Sequence, residues 1–200
     1  MRVKAFLAVL TGLFIAGAAV AQLPSAPPPL EPENTLHLDL STGGRVTIQL
    51  RPDVAPNHVA RIKELARKGF YDGLTFHRVL EGFMAQGGDP KGDGTGGSEL
   101  PDLTAEFNGL PHVRGAVAAA RADDRNSANS QFYVMLAPRF QLDGDYTVFG
   151  RVVSGMNFVD ALAKGEPPAV PDKIVRASVG ADNVAPPAAP APAKDAAAPQ

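Results

Sequence analysis

The strongest constraint on the fold is the rhythm of residues 35–180, where short apolar or alternating stretches are each cut off by glycine, proline or aspartate. His37-Leu38-Asp39-Leu40 and Val46-Thr47-Ile48-Gln49-Leu50 alternate on either side of Gly43-Gly44, the pattern of a hairpin whose two strands bury one face. Six more β-rich segments follow, at 75–80, 83–86, 115–120, 131–136, 146–153 and 174–179. Only two stretches carry a helical period. Val59, Ile62, Leu65 and Ala66 follow Pro56 and stop at Gly69, and Met156, Val159, Leu162 and Ala163 stop at Gly165. Eight short strands with two amphipathic helices predict a mainly β fold, a closed eight-stranded antiparallel β-barrel capped by the two α-helices.

The ends differ from this core. Arg2 and Lys4 precede an apolar run over 5–18, broken by Thr11, and Ala19-Val20-Ala21 has the small-x-small form of a cleavage site. Residues 1–21 therefore read as a signal peptide, and the run is too short for a spanning helix, so the mature chain is expected to be exported, periplasmic or secreted, with no membrane insertion. Cleavage before Gln22 takes the formal charge from -2 to -4, since it removes two cations and no acid. Residues 22–34 hold five prolines and read as a linker, and 181–200 is an Ala/Pro-rich tail expected to be disordered. The domain is placed at 35–180.

Composition excludes several chemistries. No basic run exists to bind nucleic acid, and with no cysteine there is no thiolate nucleophile or thiolate metal site. The four histidines, His37, His58, His77 and His112, lack paired spacing, so no metal site is expected. Gly92-Asp93-Gly94-Thr95-Gly96-Gly97 matches a dinucleotide-binding pattern in letters alone, because no helix can open from Ser98-Glu99-Leu100-Pro101. A glycine-rich rim beside a peptide groove is the better account.

Phe76-His77-Arg78-Val79, Gly82-Phe83-Met84, Gln86-Gly87-Gly88-Asp89 and Gly94-Thr95-Gly96-Gly97, followed by Asn129-Ser130-Gln131-Phe132-Tyr133, Leu142-Asp143-Gly144 and Val148-Phe149-Gly150, resemble the ordered blocks of the cyclophilins. The resemblance covers essentially all of 35–180 and implies proline isomerase activity without a cofactor, on proline-containing polypeptides. It makes Arg78 the catalytic donor and Gln86 its support, holding Arg78 and a substrate carbonyl. Phe83, Met84, Tyr133, Leu142 and Tyr146 would enclose the proline ring, while His77, Ala120 and Arg121 would hold the flanking backbone.

Elementary chemistry agrees with that division of labour. Rotation about a peptide bond meets a barrier of about 18–20 kcal/mol because the nitrogen lone pair is delocalised, and lowering it requires a donor that favours a localised, pyramidal prolyl nitrogen. Arg78 cannot deprotonate and offers N–H groups in a fixed fork. His77 is not required as a base, since no proton is transferred. Two departures from the best-known pattern stand out: Gln141 occupies a frequent tryptophan position and Tyr146 a frequent histidine position, which implies weak cyclosporin binding with proline binding kept. A periplasmic chaperone or proline-peptide binding module is the alternative, needing the pocket but not the donor. A monomer is expected.

Overall fold

The computed structural model describes residues 30–186. The signal peptide, most of the linker and most of the tail read from the sequence lie outside the described residues.

Eight strands form one sheet: β1 (Thr35–Leu40), β2 (Gly44–Leu50), β3 (Arg78–Leu80), β4 (Met84–Gly87), β5 (Ala116–Ala119), β6 (Phe132–Met135), β7 (Val148–Ser154) and β8 (Ile174–Val179). Their order is β3-β4-β6-β5-β7-β2-β1-β8, and every neighbouring pair is antiparallel. The hairpin read around Gly43-Gly44 is the β1–β2 pair, with Leu40 opposite Gly44.

The sheet curls into a barrel, but the expectation of full closure needs correction, since β3 and β8 at its two ends do not pair as strands. The seam is joined instead by the residues just before β3. Gly73 N–H donates to Ile174 O at 2.7 Å, Ile174 N–H to Leu74 O at 2.9 Å and Phe76 N–H to Asp172 O at 2.9 Å, with a bridge between Thr75 and Lys173. The segment expected as one strand over 75–80 thus divides its hydrogen bonds between two partners, so only Arg78–Leu80 remains a strand on β4.

Alternation along the strands explains why β5 and β6 are apolar at every position. Ala85, Val117, Phe132 and Val134 enter the main core with Leu38, Ile48, Phe76 and Phe149, while Met84, Ala116, Ala118, Tyr133 and Met135 point outward into a second, smaller cluster. That outer cluster is topped by the partly buried Phe83, Leu142 and Tyr146. A sheet face that would otherwise be wet therefore carries an apolar platform.

Helix α1 (Pro56–Arg67) buries Val59, Ile62, Leu65 and Ala66 in the main core. Its N-terminal N–H groups receive no cap from Ala55; Glu106 supplies one across 49 residues, accepting from Asn57 N–H and, through its other oxygen, from His58 N–H, each at 3.0 Å. Helix α2 (Met156–Asp160) is shorter than the period suggests, and Leu162 reaches the core from just beyond its end. Gly44 makes room for this helix, because a Cβ there would stand 2.1 Å from the Phe158 ring.

Packing reaches past the expected domain limits. Pro32–Asn34 forms a 3-10 turn whose Glu33 binds Lys63 and Arg67, both at 2.8 Å, and those cations hold its carboxyl down at about 2. At the other end, Arg176 donates to Ala185 O at 2.6 Å and Arg45 to Val184 O at 2.9 Å.

Candidate active site

Register places the central pair. Arg78 on β3 lies directly opposite Gln86 on β4, and Gln86 lies opposite Tyr133 on β6, so all three project from the same outer face as Met84 and Ala118. These residues, with Phe83, Ala120, Arg121, Leu142 and Tyr146, line one pocket of about 130 Å³. Nine of the ten residues read from the sequence meet there; His77, just before β3, does not, and lines a neighbouring cleft instead.

The pocket walls are fixed by aromatic and hydrogen-bond contacts. Tyr133 and Tyr146 meet edge to face with centroids 5.9 Å apart, and the Arg121 guanidinium lies 4.6 Å above the Tyr146 ring. Tyr133 Oη is 3.0 Å from His112 Nε2, and His112 Nδ1 is 2.7 Å from Asp143 Oδ1. His112 is fully buried. Burial pushes the Tyr133 phenol well above its ordinary range, while the His112 backbone N–H and then its ring hold the Asp143 carboxyl down. Phe83 is flanked by two cations, with Arg139 at 5.2 Å and Arg78 at 6.0 Å from its centroid.

Arg78 is anchored by one nitrogen. Its Nε donates to Glu166 Oε1 at 2.5 Å, and neither terminal nitrogen has an intramolecular hydrogen bond among the described residues. The expected support from Gln86 takes a different form, since Gln86 Nε2 donates to Gln131 Oε1 at 2.9 Å and makes no bond to Arg78. Gln131 in turn donates to Gly94 O at 3.0 Å and Gly96 O at 2.8 Å, linking the pocket to the glycine loop. Arg121 turns its side chain back onto Asp145 O, Ala122 O and Asp123 O, and Ala120 N–H is already bonded to Gln131 O, which leaves its carbonyl as the group able to face a client.

The glycine loop is built around a buried carboxylate. Asp89, 1 % exposed, accepts N–H bonds from Lys91 at 2.8 Å, Asp93 at 3.1 Å and Gly94 at 2.6 Å. Burial alone would raise its carboxyl, but these donors, with Gly96, outweigh it and hold the group charged. A Cβ at Gly96 would stand 2.0 Å from Asp89 Oδ1, so the loop can close on this acid only with glycine there. The N–H groups of Lys91, Asp93 and Gly94 are thus turned onto this carboxylate.

The family model described as cyclophilin type peptidyl-prolyl cis-trans isomerase/CLD matches residues 37–179. The chain belongs to the cyclophilin-type peptidyl-prolyl cis-trans isomerases. A Brucella suis protein named probable peptidyl-prolyl cis-trans isomerase is 52% identical over 168 residues, 76% of this chain and 85% of that protein. Peptidyl-prolyl cis-trans isomerase B of Bacillus subtilis is 43% identical over 129 residues, 64% of this chain and 89% of that protein. Among solved structures, a cyclophilin from Hirschia baltica superposes with a TM-score of 0.71 at 31% identity, covering 76% of each chain. A Cryptosporidium parvum cyclophilin crystallised in the presence of the dipeptide Ala-Pro superposes with a TM-score of 0.67 at 25% identity, covering 72% of this chain and 98% of that one.

Cyclophilin blocks in the sequence thus located the pocket lining but not its supports. His112 reads as one scattered histidine, and Glu166 lies 88 residues from Arg78 with no motif around it. Gln131 and Asp89 stood inside the quoted blocks, and that placement was the usable signal for them.

Proposed function

We propose that this isomerase acts on proline-containing segments of exported proteins outside the cytoplasm, as a monomer, with Arg78 as the catalytic donor. The observation that carries the reading is an arginine fixed through Nε, with both terminal nitrogens unengaged, on the rim of an apolar pocket. Phe83, Met84, Leu142 and the two tyrosines take the pyrrolidine ring. Arg78 then donates toward the prolyl nitrogen as it becomes pyramidal, an interaction stronger in the transition state than in either planar isomer. One preorganised donor of this kind is typically worth roughly 2.7–4 kcal/mol. Gln86 keeps Oε1 for the client, because its amide nitrogen is the group bound to Gln131.

Pure binding would need the pocket but no anchored cation, so the donor favours catalysis over a chaperone role. Gln141 is exposed beside Leu142 and brings no indole donor, in keeping with weak cyclosporin binding. The leader over 1–21 supports export. Exchange spectroscopy on an Ala-Pro peptide, together with N-terminal sequencing of the protein from extracytoplasmic fractions, tests both halves. Fast cis/trans exchange and a mature start at Gln22 are expected; a protein retaining Met1 in the cytoplasm overturns the location.

A further inference from the structure

A second cleft, of about 260 Å³, adjoins the proline pocket on the other side of Arg78, lined by His77, Gly92, Asp93, Gly94, Glu166 and Pro167 as well as Arg78 and Gln86. Its rim carries two exposed carboxylates, and each is held from within through a single oxygen. Thr95 N–H and Oγ1 donate to Asp93 Oδ1 at 2.8 and 2.7 Å, and Arg78 donates to Glu166 Oε1, which leaves Oδ2 and Oε2 to outside partners. Beneath them lies His77, 6 % exposed, with neither ring nitrogen hydrogen-bonded. Its Nε2 is directed at the loop edge, where a Cβ on Gly94 would stand 3.8 Å away. Desolvation lowers the pKa of this histidine, so the buried ring adds no opposing cation beneath the two carboxylates.

Resting on the isomerase reading above, we propose that this cleft is a subsite for a lysine or arginine side chain of the client, close in sequence to the isomerising proline. The cleft sets two carboxylates, Asp93 and Glu166, each with an unengaged oxygen, against the single guanidinium of Arg78, so its net charge is negative. An ammonium or guanidinium group supplies several donors at the end of a long flexible stem, whereas an acidic side chain would meet like charge. No three His, Cys, Asp or Glu side chains among the described residues converge to hold a metal ion, so separated acceptors suit a side chain that can reach between them. Because Arg78 and Gln86 border both cavities, one extended client can fill the two together.

The test is a set of proline peptides identical except for one position, scanned from two residues before to three after the proline and occupied by lysine, norleucine or glutamate. With wild type, kcat/KM at one position should follow lysine over norleucine over glutamate, with lysine ahead by about three- to tenfold at low salt. That ratio should fall to about one in the Asp93→Asn, Glu166→Gln double variant; Asn keeps the acceptor for Thr95, and the ratio cancels any general loss of rate from disturbing Arg78. Equal rates for the three peptides at every position, in an enzyme that turns over the norleucine series, overturn the subsite and leave the isomerase reading intact. A lysine preference unchanged in the double variant overturns it as well. Failure to turn over any peptide overturns the isomerase reading instead, and calorimetric titration of the same peptides then applies the same lysine-to-norleucine criterion to binding.

Discussion

Arg78 Nε is bound to Glu166 Oε1, a contact between the start of β3 and a residue 88 positions later, next to the chain that pairs with Val79. Gly165 and Val79 exchange both backbone hydrogen bonds, at 2.8 and 2.9 Å, so the carboxylate is delivered by main-chain pairing rather than by a flexible loop. The bond orients the guanidinium without engaging its terminal nitrogens. Glu166→Ala is therefore expected to lower kcat/KM on neutral peptides by about three- to tenfold through a less ordered donor. Thermal stability should change by less than ~1 kcal/mol, since the pair is substantially solvent-exposed.

Tyr133 combines a wall of the pocket with a hydrogen bond to the buried His112. Tyr133→Phe keeps the wall and leaves His112 Nε2 unsatisfied, so it should cost roughly 1–3 kcal/mol in denaturant melts with kcat/KM nearly unchanged. Tyr133→Ala removes the wall as well. Its KM for a proline peptide should rise steeply, and comparing the two variants by urea titration and steady-state kinetics separates packing from recognition.

Asp89 organises the loop over 91–96 from inside. Asp89→Ala strips the acceptor from the N–H groups of Lys91, Asp93 and Gly94, and is expected to destabilise the protein by at least about 2 kcal/mol. Amide exchange in this loop should quicken far more than in β5 or β6. Uniform exchange rates across the variant would argue against the buried carboxylate as its organiser.

Acid should unfold this protein in two stages. His37, His58 and His77 have pKa values lowered from 6.5, chiefly by burial. The unfolded chain then binds more protons than the folded one below about 6.5, so stability is complete above that value and declines as pH falls through it. Asp143 and Glu106 follow. His112 holds the first below 3.8, while at Glu106 the Asn57 N–H and His58 outweigh the raising effect of burial and hold it below 4.5; their stabilisation is lost as pH drops under about 4.5. Chemical denaturation at pH 8, 6, 5 and 3.5 should show both declines; a midpoint unchanged from 8 to 5 would contradict the histidine stage.

How much of this was legible in the sequence follows from the range of the interactions. Strand alternation in His37–Leu40 and Val46–Leu50 is local, and the hairpin came out with the expected partners. The run Phe132-Tyr133-Val134-Met135 is apolar throughout and read as a strand, and the structure resolves it into a core-facing Phe132 and a pocket-facing Tyr133. The ordered blocks collected the pocket lining. The supports were not legible, because Glu106 caps α1 from 49 residues away and Glu166 reaches Arg78 from 88, and each is a single acid in an unpatterned stretch. The seam of the barrel was missed for a related reason: nothing in 75–80 marks where its hydrogen bonds change partner.

Catalysis rests on Arg78 as the donor. The most direct measurement is kcat/KM for an Xaa-Pro peptide with wild type, Arg78→Lys and Arg78→Ala, each shown to be folded by its near-ultraviolet circular dichroism. Loss of about two to three decades in Arg78→Ala is predicted, with Arg78→Lys recovering only part of it, since an ammonium lacks the fork that Glu166 holds at one nitrogen. Equal rates for wild type and Arg78→Ala would contradict the account.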